Sequence, residues 1–178
     1  MAETTDQPQA AQNANPDADH TLPITVLRQY IRDLSFENPA APESLKLSET
    51  PDMQIEVDVQ ARNIEDKDIP FLYEVVLRLR VITTAADTPV FLAELDYATL
   101  LSISADVSQD KHHPILFIEV PRFAFPFANQ IISTACLQGG FPPLFLKPVD
   151  FHSLYMDRFK DELEESRKKA EAEAQASS

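Results

Sequence analysis

The chain has 178 residues and a formal net charge of −14 at neutral pH, with one cysteine and two adjacent glycines, Gly139 and Gly140. This length suits one domain with a buried core. The acidity argues against binding to nucleic acid or an anionic membrane surface and favours a basic partner. Phosphate-binding loops need several spaced glycines, so nucleotide-dependent chemistry is not expected. A single cysteine cannot form an internal disulfide, which suits a reducing compartment.

The first 21 residues form a polar, acidic arm that we predict to be disordered. The arm has neither the positive start nor the apolar core of a signal peptide. No apolar run approaches the ~20 residues that a membrane-spanning helix needs. We therefore expect a cytoplasmic protein without direct membrane insertion. Its predicted parts are the arm over residues 1–21, one domain over residues 22–163 and a flexible charged tail over residues 164–178.

Alternation of apolar and polar residues predicts four β-strands in the first half of the domain. In the first strand the even-numbered residues, Tyr30 among them, form the apolar face. A period of two with one apolar face is typical of an antiparallel sheet that is covered on one side. A proline-rich loop, Asn38–Pro51, follows this strand, and ordered loops of such length are often functional. The alternating segments lie at about residues 24–37, 53–62, 71–81 and 91–97.

If the apolar faces pack inward, the polar faces of the four strands form one outer surface. That surface carries more acidic residues than arginines, so we expect it to be exposed and negatively charged. Its acidic residues are Asp33, Glu37, Glu56, Asp58, Glu74, Glu94 and Asp96, and its arginines are Arg62, Arg78 and Arg80. Such a surface is either an ordinary solvated face or a docking site. An apolar residue on the same face, Leu92, favours a docking site.

The region after residue 104 is predicted to be helical. Asp110–Glu119 is expected to form a short helix or an irregular connection that is broken at Pro114. A helix over Pro121–Leu137 follows, with Pro126 in its first turn and an apolar stripe that includes Cys136. This stripe and the apolar face of the fourth strand together exceed what a small monomer leaves exposed, which favours an oligomer.

Particular residues in the second half of the domain mark where one predicted helix ends and where the last helix begins. Gly139 and Gly140 supply the left-handed residue that ends the Pro121–Leu137 helix. A last helix is predicted to begin near Asp150, because aspartate is a good N-cap residue.

The chain shows no residue arrangement typical of catalysis or metal binding. His112 and His113 are adjacent, so their side chains diverge on a helix or a strand, and a metal site would need further ligands from distant segments. Cys136 lies on an apolar stripe, where cysteine usually acts as a small apolar residue. No serine stands in a nucleophile-elbow context. We therefore predict no enzymatic activity, no catalytic residues, no cofactor and no metal.

Five separated segments of the chain carry a family resemblance: DLSFENPAAP from Asp33, YEVVLR from Tyr73, VPRFAFPFA from Val120, GFPPL from Gly140 and PVDFHSLY from Pro148. In this order they are similar to segments of the SecB family of bacterial protein-export chaperones. The resemblance covers about Leu22 to Phe159. It implies an α+β fold in which C-terminal helices cover one face of a four-stranded antiparallel sheet, in agreement with the pattern above.

The resemblance also implies a function. SecB chaperones are ATP-independent holdases that form a homotetramer, a dimer of dimers, keep precursor proteins unfolded and pass them to the SecA translocation ATPase. By resemblance, SecA would dock through Asp33, Glu37, Leu92 and Glu94, which the strand pattern independently places on the outer surface. The positions that resemble those affecting tetramer assembly are Ala93, Leu95 and Tyr97.

Unfolded clients would bind in apolar grooves beneath the Asn38–Pro51 loop and beside the last helices. Seven apolar residues lie there in proline-bounded loops or at helix starts, where complete burial is less assured, although they could equally belong to the core. We expect the groove to be lined by Leu45, Leu47, Leu144, Phe145, Leu146, Leu154 and Tyr155.

Two other interpretations remain open at this stage. The first is a SecB-like chaperone dedicated to another client, such as a toxin–antitoxin pair. The second is a small α+β enzyme or ligand carrier with a pocket under the sheet. That second possibility requires a cluster of inward-facing polar groups, and the apolar faces of the predicted strands contain almost none.

Overall fold

The fold is an α+β arrangement with one antiparallel sheet, as predicted. The computed structural model describes residues 23–46, 51–85, 88–161 and 164. The four strands pair in the order β1-β4-β3-β2, so that β1 and β2 are the edges of the sheet. Apolar alternation and short turns account for β2, β3 and β4, which form an antiparallel meander. The strands are β1 (Ile24–Glu37), β2 (Asp52–Ile64), β3 (Leu72–Ala85) and β4 (Thr88–Ile103).

A continuous helical segment, Gln109–Gln138, lies across one face of the sheet and is called the long helix below. Its first half contains a π turn, Ile115–Glu119. The predicted break at Pro114 and the first-turn position of Pro126 were both wrong, because both prolines lie inside this segment. Pro114 has helical torsions, φ −64° and ψ −33°, and a proline inside a helix removes one hydrogen-bond donor and crowds the carbonyl four residues before it. Packing of the apolar helix face against the sheet outweighs that loss.

By length and composition alone the long helix could cross a membrane, because its most apolar stretch has a mean hydropathy of 1.3. No single apolar run in the sequence indicated this, because Glu119, Pro121 and Arg122 interrupt the apolar residues of the helix. Within that stretch 44% of the residues are buried in the protein. The core helix of a soluble protein meets the same criterion, so the helix is weak evidence for membrane insertion.

The core lies between the sheet and the long helix. The inner faces of the two central strands, β3 and β4, contribute fully buried residues such as Leu79 and Leu95, and the helix contributes Ala128, Ile132 and Cys136. The helix stripe and the apolar face of β4 therefore cover each other within one chain. Our argument that these two surfaces favour an oligomer was wrong, because most of their residues are buried against each other within one chain.

Two irregularities in β1 change which residues face outward. The pairing of β1 with β4 shifts between Val26 and Arg28 and again between Ile31 and Asp33. Each extra residue of a β-bulge reverses the alternation of side chains beyond it. Tyr30 consequently lies on the outer face, where its hydroxyl donates a hydrogen bond to Glu74, and its predicted place on the apolar face was wrong.

The end of the long helix follows the predicted glycine signal. Gly140 has a φ of +89°, and the amide of the next residue donates to the carbonyl of Cys136 at 3.1 Å. The last helix covers residues 151–161 within the described range. Asp150 caps it as predicted, since its Oδ1 accepts hydrogen bonds from the amides of His152 and Ser153, both at 3.1 Å.

Candidate functional site

The outer face of the sheet presents its side chains in rows that cross all four strands. The four predicted docking residues come together where the end of β1 pairs with the start of β4, and we call this group the acidic corner: Asp33, Glu37, Leu92 and Glu94. Asp33 and Glu37 are exposed, and Leu92 and Glu94 are half-buried. Given in the order β1, β4, β3, β2, the rows are Asp33–Asp96–Arg78–Asp58, Ser35–Glu94–Arg80–Glu56 and Glu37–Leu92–Ile82–Gln54.

The arginines of β3 pair with the carboxylates of the neighbouring strands. Arg78 binds Asp96 with two hydrogen bonds of 2.7 and 2.8 Å, which lower the pKa of Asp96 and raise that of Arg78. The Arg80 Nε lies 2.7 Å from Glu94 Oε1, so the charge of Glu94 is partly neutralised. On the edge strand, Asp33 and Glu37 have no ion pair with any described residue. Of the three acids of the acidic corner, the two on β1 therefore keep an unpaired negative charge.

Glu74 is the exception to the predicted exposure of the outer face, because only 3% of it is exposed. Arg62 donates to its Oε2 at 2.5 Å, Arg32 lies 3.4 Å from the same atom, and the Tyr30 hydroxyl donates to Oε1. The hydrogen bond from Arg62 lowers the pKa of Glu74 more strongly than burial raises it, so the carboxylate stays ionised. The bulged β1 brings Tyr30 and Arg32 over Glu74, which therefore cannot contact a partner directly.

On the other side of the sheet, an apolar groove of about 430 Å³ opens beside the predicted loop. We call this cavity the client groove, because the resemblance would place unfolded clients here. Two of the predicted groove residues, Leu45 and Leu144, line it, and Leu45 is exposed. The remaining walls come from the starts of β2 and β4 and from the segment after the long helix. Its other apolar lining residues are Pro51, Met53, Val90, Phe91, Phe141, Pro142 and Pro143.

The client groove continues along the inner face of β2. Met53 and Ile55 point to this face, yet 41% and 46% of their surface remains exposed, whereas Val59 further along is only 2% exposed. The covered part of β2 meets the last helix at a small pocket of about 40 Å³ between Val57 and Leu154. Because β2 is an edge strand, one side of its backbone carries no strand partner within the described chain. Sequence alternation alone assigned these residues to the core, since it cannot show which strand is an edge.

The seven predicted groove residues differ in how far they are exposed. Phe145 is 75% exposed, and Leu154 is half-buried beside β2. Leu146 and Tyr155 are buried, so their predicted exposure was wrong. The Asn129 side chain holds the backbone of Leu146 with hydrogen bonds of 3.0 and 3.2 Å. Tyr155 lies on the buried stripe of the last helix, and Leu47 lies outside the described residues.

Arg158 connects the last helix to β2, and this contact was not predicted from the sequence. Its Nη1 lies 2.8 Å from Asp58 Oδ1 and donates to the carbonyl of Val59 at 2.7 Å. Its guanidinium also lies over the rings of Phe117 and Phe159. The partners are about a hundred residues apart in sequence, so no local pattern indicates the pair.

The described residues contain no group of three or more histidine, cysteine, aspartate or glutamate side chains that could hold a metal ion. Cys136 is fully buried, and burial raises the pKa of its thiol, which keeps it protonated and unreactive. His112 is buried with its ring between the Tyr73 hydroxyl at 3.0 Å and the Val107 carbonyl at 3.2 Å. These groups are satisfied parts of the fold.

Comparisons with known proteins agree with this description. A family model described as the preprotein translocase subunit SecB matches residues 17–162. The protein-export protein SecB of Rhodospirillum centenum is 44% identical over 136 residues, which are 76% of this chain and 79% of the relative. The protein of the same name from Novosphingobium aromaticivorans is 42% identical over 141 residues, or 79% of each chain.

A solved structure supports the fold. The SecB-like chaperone of Mycobacterium tuberculosis, in complex with a ChAD peptide from the HigA1 antitoxin, superposes with a TM-score of 0.59 at 12% identity. The match covers 71% of this chain and 90% of that one. At this identity the likeness concerns the arrangement of the strands and helices.

Proposed function

Because the chain belongs to the SecB family of protein-export chaperones, we propose that it holds precursor proteins in its client groove and passes them to the SecA ATPase at its acidic corner. The observation that carries this proposal is the exposed apolar surface along an edge strand, from Leu45 through Met53 to Ile55. A folded protein seldom leaves such a continuous apolar surface open unless something binds there.

The physical properties of the groove suit a non-native client. The hydrophobic effect has no directional requirement, so an apolar groove accepts many sequences. Native proteins bury their apolar segments, which restricts binding to unfolded chains. The free backbone edge of β2 adds hydrogen-bonding groups that an extended client segment could pair with, whatever its side chains. We propose that Met53 and Ile55 contact alternate side chains of such a segment.

Members of the SecB family are chaperones rather than enzymes, and release of a client from this groove requires no chemistry. A partner that competes with the client for the chaperone is sufficient for this release. We propose that this partner is SecA and that both proteins meet in the cytoplasm. The acidic corner has the charge that a basic segment of SecA would need, and its apolar member, Leu92, would add a desolvated contact.

The docking proposal predicts that neutralising the unpaired carboxylates weakens the complex. Asp33→Asn combined with Glu37→Gln should lower SecA affinity about tenfold at low salt, which is the contribution expected of two exposed ion pairs. The decrease should be smaller at high salt, because salt screens exposed charges. Calorimetric titration of the chaperone with its cognate SecA measures this.

A matched control neutralises two exposed acids at the opposite end of the sheet, Glu65→Gln with Asp68→Asn, in the turn between β2 and β3. This control changes the net charge equally and should leave SecA affinity unaltered. Equal weakening by both double variants would show that only overall charge matters, and the docking assignment would then be rejected.

We further propose that four chains assemble, and that β1 contributes an interface. Ile31 and Leu34 of this edge strand, with Phe127 and Ile131 of the long helix, line an open cleft of about 450 Å³. Tyr97 forms part of the same cleft, while Ala93 and Leu95 are buried beneath the long helix, so we propose that these two affect assembly by positioning the helix. Native mass measurement at micromolar concentration should give a tetramer, and a stable monomer would contradict the proposal.

Of the interpretations left open by the sequence, export fits best. The relatives named for export share more than 40% identity with this chain, whereas the chaperone solved in complex with an antitoxin peptide shares 12%. We therefore propose precursor proteins, rather than an antitoxin, as the clients.

A further inference from the structure

Arg80 occupies a position on the outer face that would conflict with a basic partner. It projects from β3 beside Glu94, a member of the acidic corner, and beside Glu56 of β2. Its Nε lies 2.7 Å from Glu94 Oε1 and its Nη1 lies 3.4 Å from Glu56 Oε2. One guanidinium therefore forms ion pairs with two carboxylates. It partly neutralises the negative charge of Glu94 that a ligand would contact.

The contact between Arg80 and Glu94 is close but poorly directed. The Nε–H of Arg80 has no hydrogen-bond partner among the described residues, although Glu94 Oε1 is near. Both side chains are also about two-fifths exposed, at 40% and 42%. The neighbouring pair is different, because Arg78 makes two well-formed hydrogen bonds to Asp96, whose side chain is only 15% exposed. Of the two arginines, Arg80 is the one that can be displaced with little loss.

We propose that Arg80 is an internal competitor of SecA: in the free chaperone it holds the place at Glu94 that a lysine or arginine of SecA takes in the complex. This inference rests on the docking proposal above and adds a regulating residue to it. A basic segment that reaches Glu94 must either displace the guanidinium or lie beside it, and both reduce affinity. Arg80 thereby keeps the complex weak enough to dissociate after the client has been handed over.

The test is a substitution that strengthens binding. Arg80→Gln removes the competing charge and leaves Glu94 and Glu56 unpaired, so it should tighten SecA binding up to about fivefold at low salt, the range of one exposed ion pair. The gain should disappear when Glu94→Gln is added. Arg80→Lys, which keeps the charge, should retain most of the wild-type affinity. Calorimetric titration measures all three, and thermal unfolding checks that each variant is folded.

A charge-matched control is Arg122→Gln, since Arg122 lies on the long helix, across the sheet from the outer face, and pairs with Glu119 at 2.9 Å. This variant changes the net charge equally and should leave the affinity unchanged. If both glutamine variants bound SecA more tightly by the same factor, the effect would come from net charge alone. That result would overturn the inference.

The outcomes separate this inference from the docking proposal. If Asp33→Asn with Glu37→Gln weakens binding while Arg80→Gln does not tighten it, SecA docks at the acidic corner and Arg80 is no competitor. If neither change alters affinity, the docking proposal fails and the inference fails with it.

Discussion

Replacing Ile55 by aspartate should abolish most client capture while the protein remains folded. Ile55 lies on the open part of β2, where 46% of its surface is exposed, so the charge can stay hydrated in the free chaperone. In the complex the same charge would be buried under an apolar segment. Loss of one buried isoleucine contact, about 1.5–3 kcal/mol, corresponds to a drop in affinity of about ten- to a hundredfold before any desolvation of the charge. Fluorescence titration with a chemically unfolded protein measures this.

The matched control lies one residue away on the same strand. Gln54→Asp adds the same charge on the outer face of β2, opposite Ile82. It should leave client capture unchanged, because the groove and Gln54 are on different faces. If Ile55→Asp captured clients as well as Gln54→Asp does, the open stretch of β2 would have no part in binding.

Replacing Gly139 by alanine should lower both stability and client affinity, although alanine is the better helix former. The backbone of Gly139 is helical, with φ at −71°, so the torsions themselves permit alanine. An added Cβ would, however, lie 2.3 Å from the ring of Phe36. That ring stacks on Phe91 at 5.4 Å and meets Phe141 at 6.2 Å, and both of these residues line the client groove.

Overpacking at such a contact costs about 1–3 kcal/mol, which exceeds the gain of about 1 kcal/mol from helix propensity. Urea unfolding at one fixed protein concentration measures the difference. Adding Phe36→Leu should make room for the new methyl group, so the double variant should be more stable than the sum of the two single changes predicts. Strict additivity would show that Phe36 does not mediate the effect.

The architecture was largely predictable from the sequence because its signals are local. A period of two identified all four strands, adjacent glycines ended the long helix, and Asp150 capped the last one. The errors arose where local signals compete with packing. Pro114 and Pro126 usually interrupt helices, and here the apolar face of the long helix, buried on the sheet, holds both inside one helical path.

The candidate site was predictable in part. The alternation of side chains along the strands placed Asp33, Glu37 and Glu94 on one face. The resemblance to SecB proteins predicted that these residues lie close together. Sequence alone could not show that Arg80 neutralises Glu94, because this depends on the register between β3 and β4. It also could not show that Ile55 stays open, since exposure of an inner-face residue depends on the strand order and on how far the helices extend.

The bulge between Ile31 and Asp33 has a consequence for how β1 can change in length. Arg32 is the extra residue of this bulge, because its neighbours Ile31 and Asp33 pair with consecutive residues of β4. Deleting Arg32 would therefore remove the bulge and leave every residue beyond it on its present face. Deleting a paired residue further along, such as Leu34, would reverse the alternation and bring Glu37 toward the aromatic stack of the groove. The strand can therefore lose a residue at the bulge without changing its faces, whereas a gap of a single codon beyond it would exchange the outer face with the inner one.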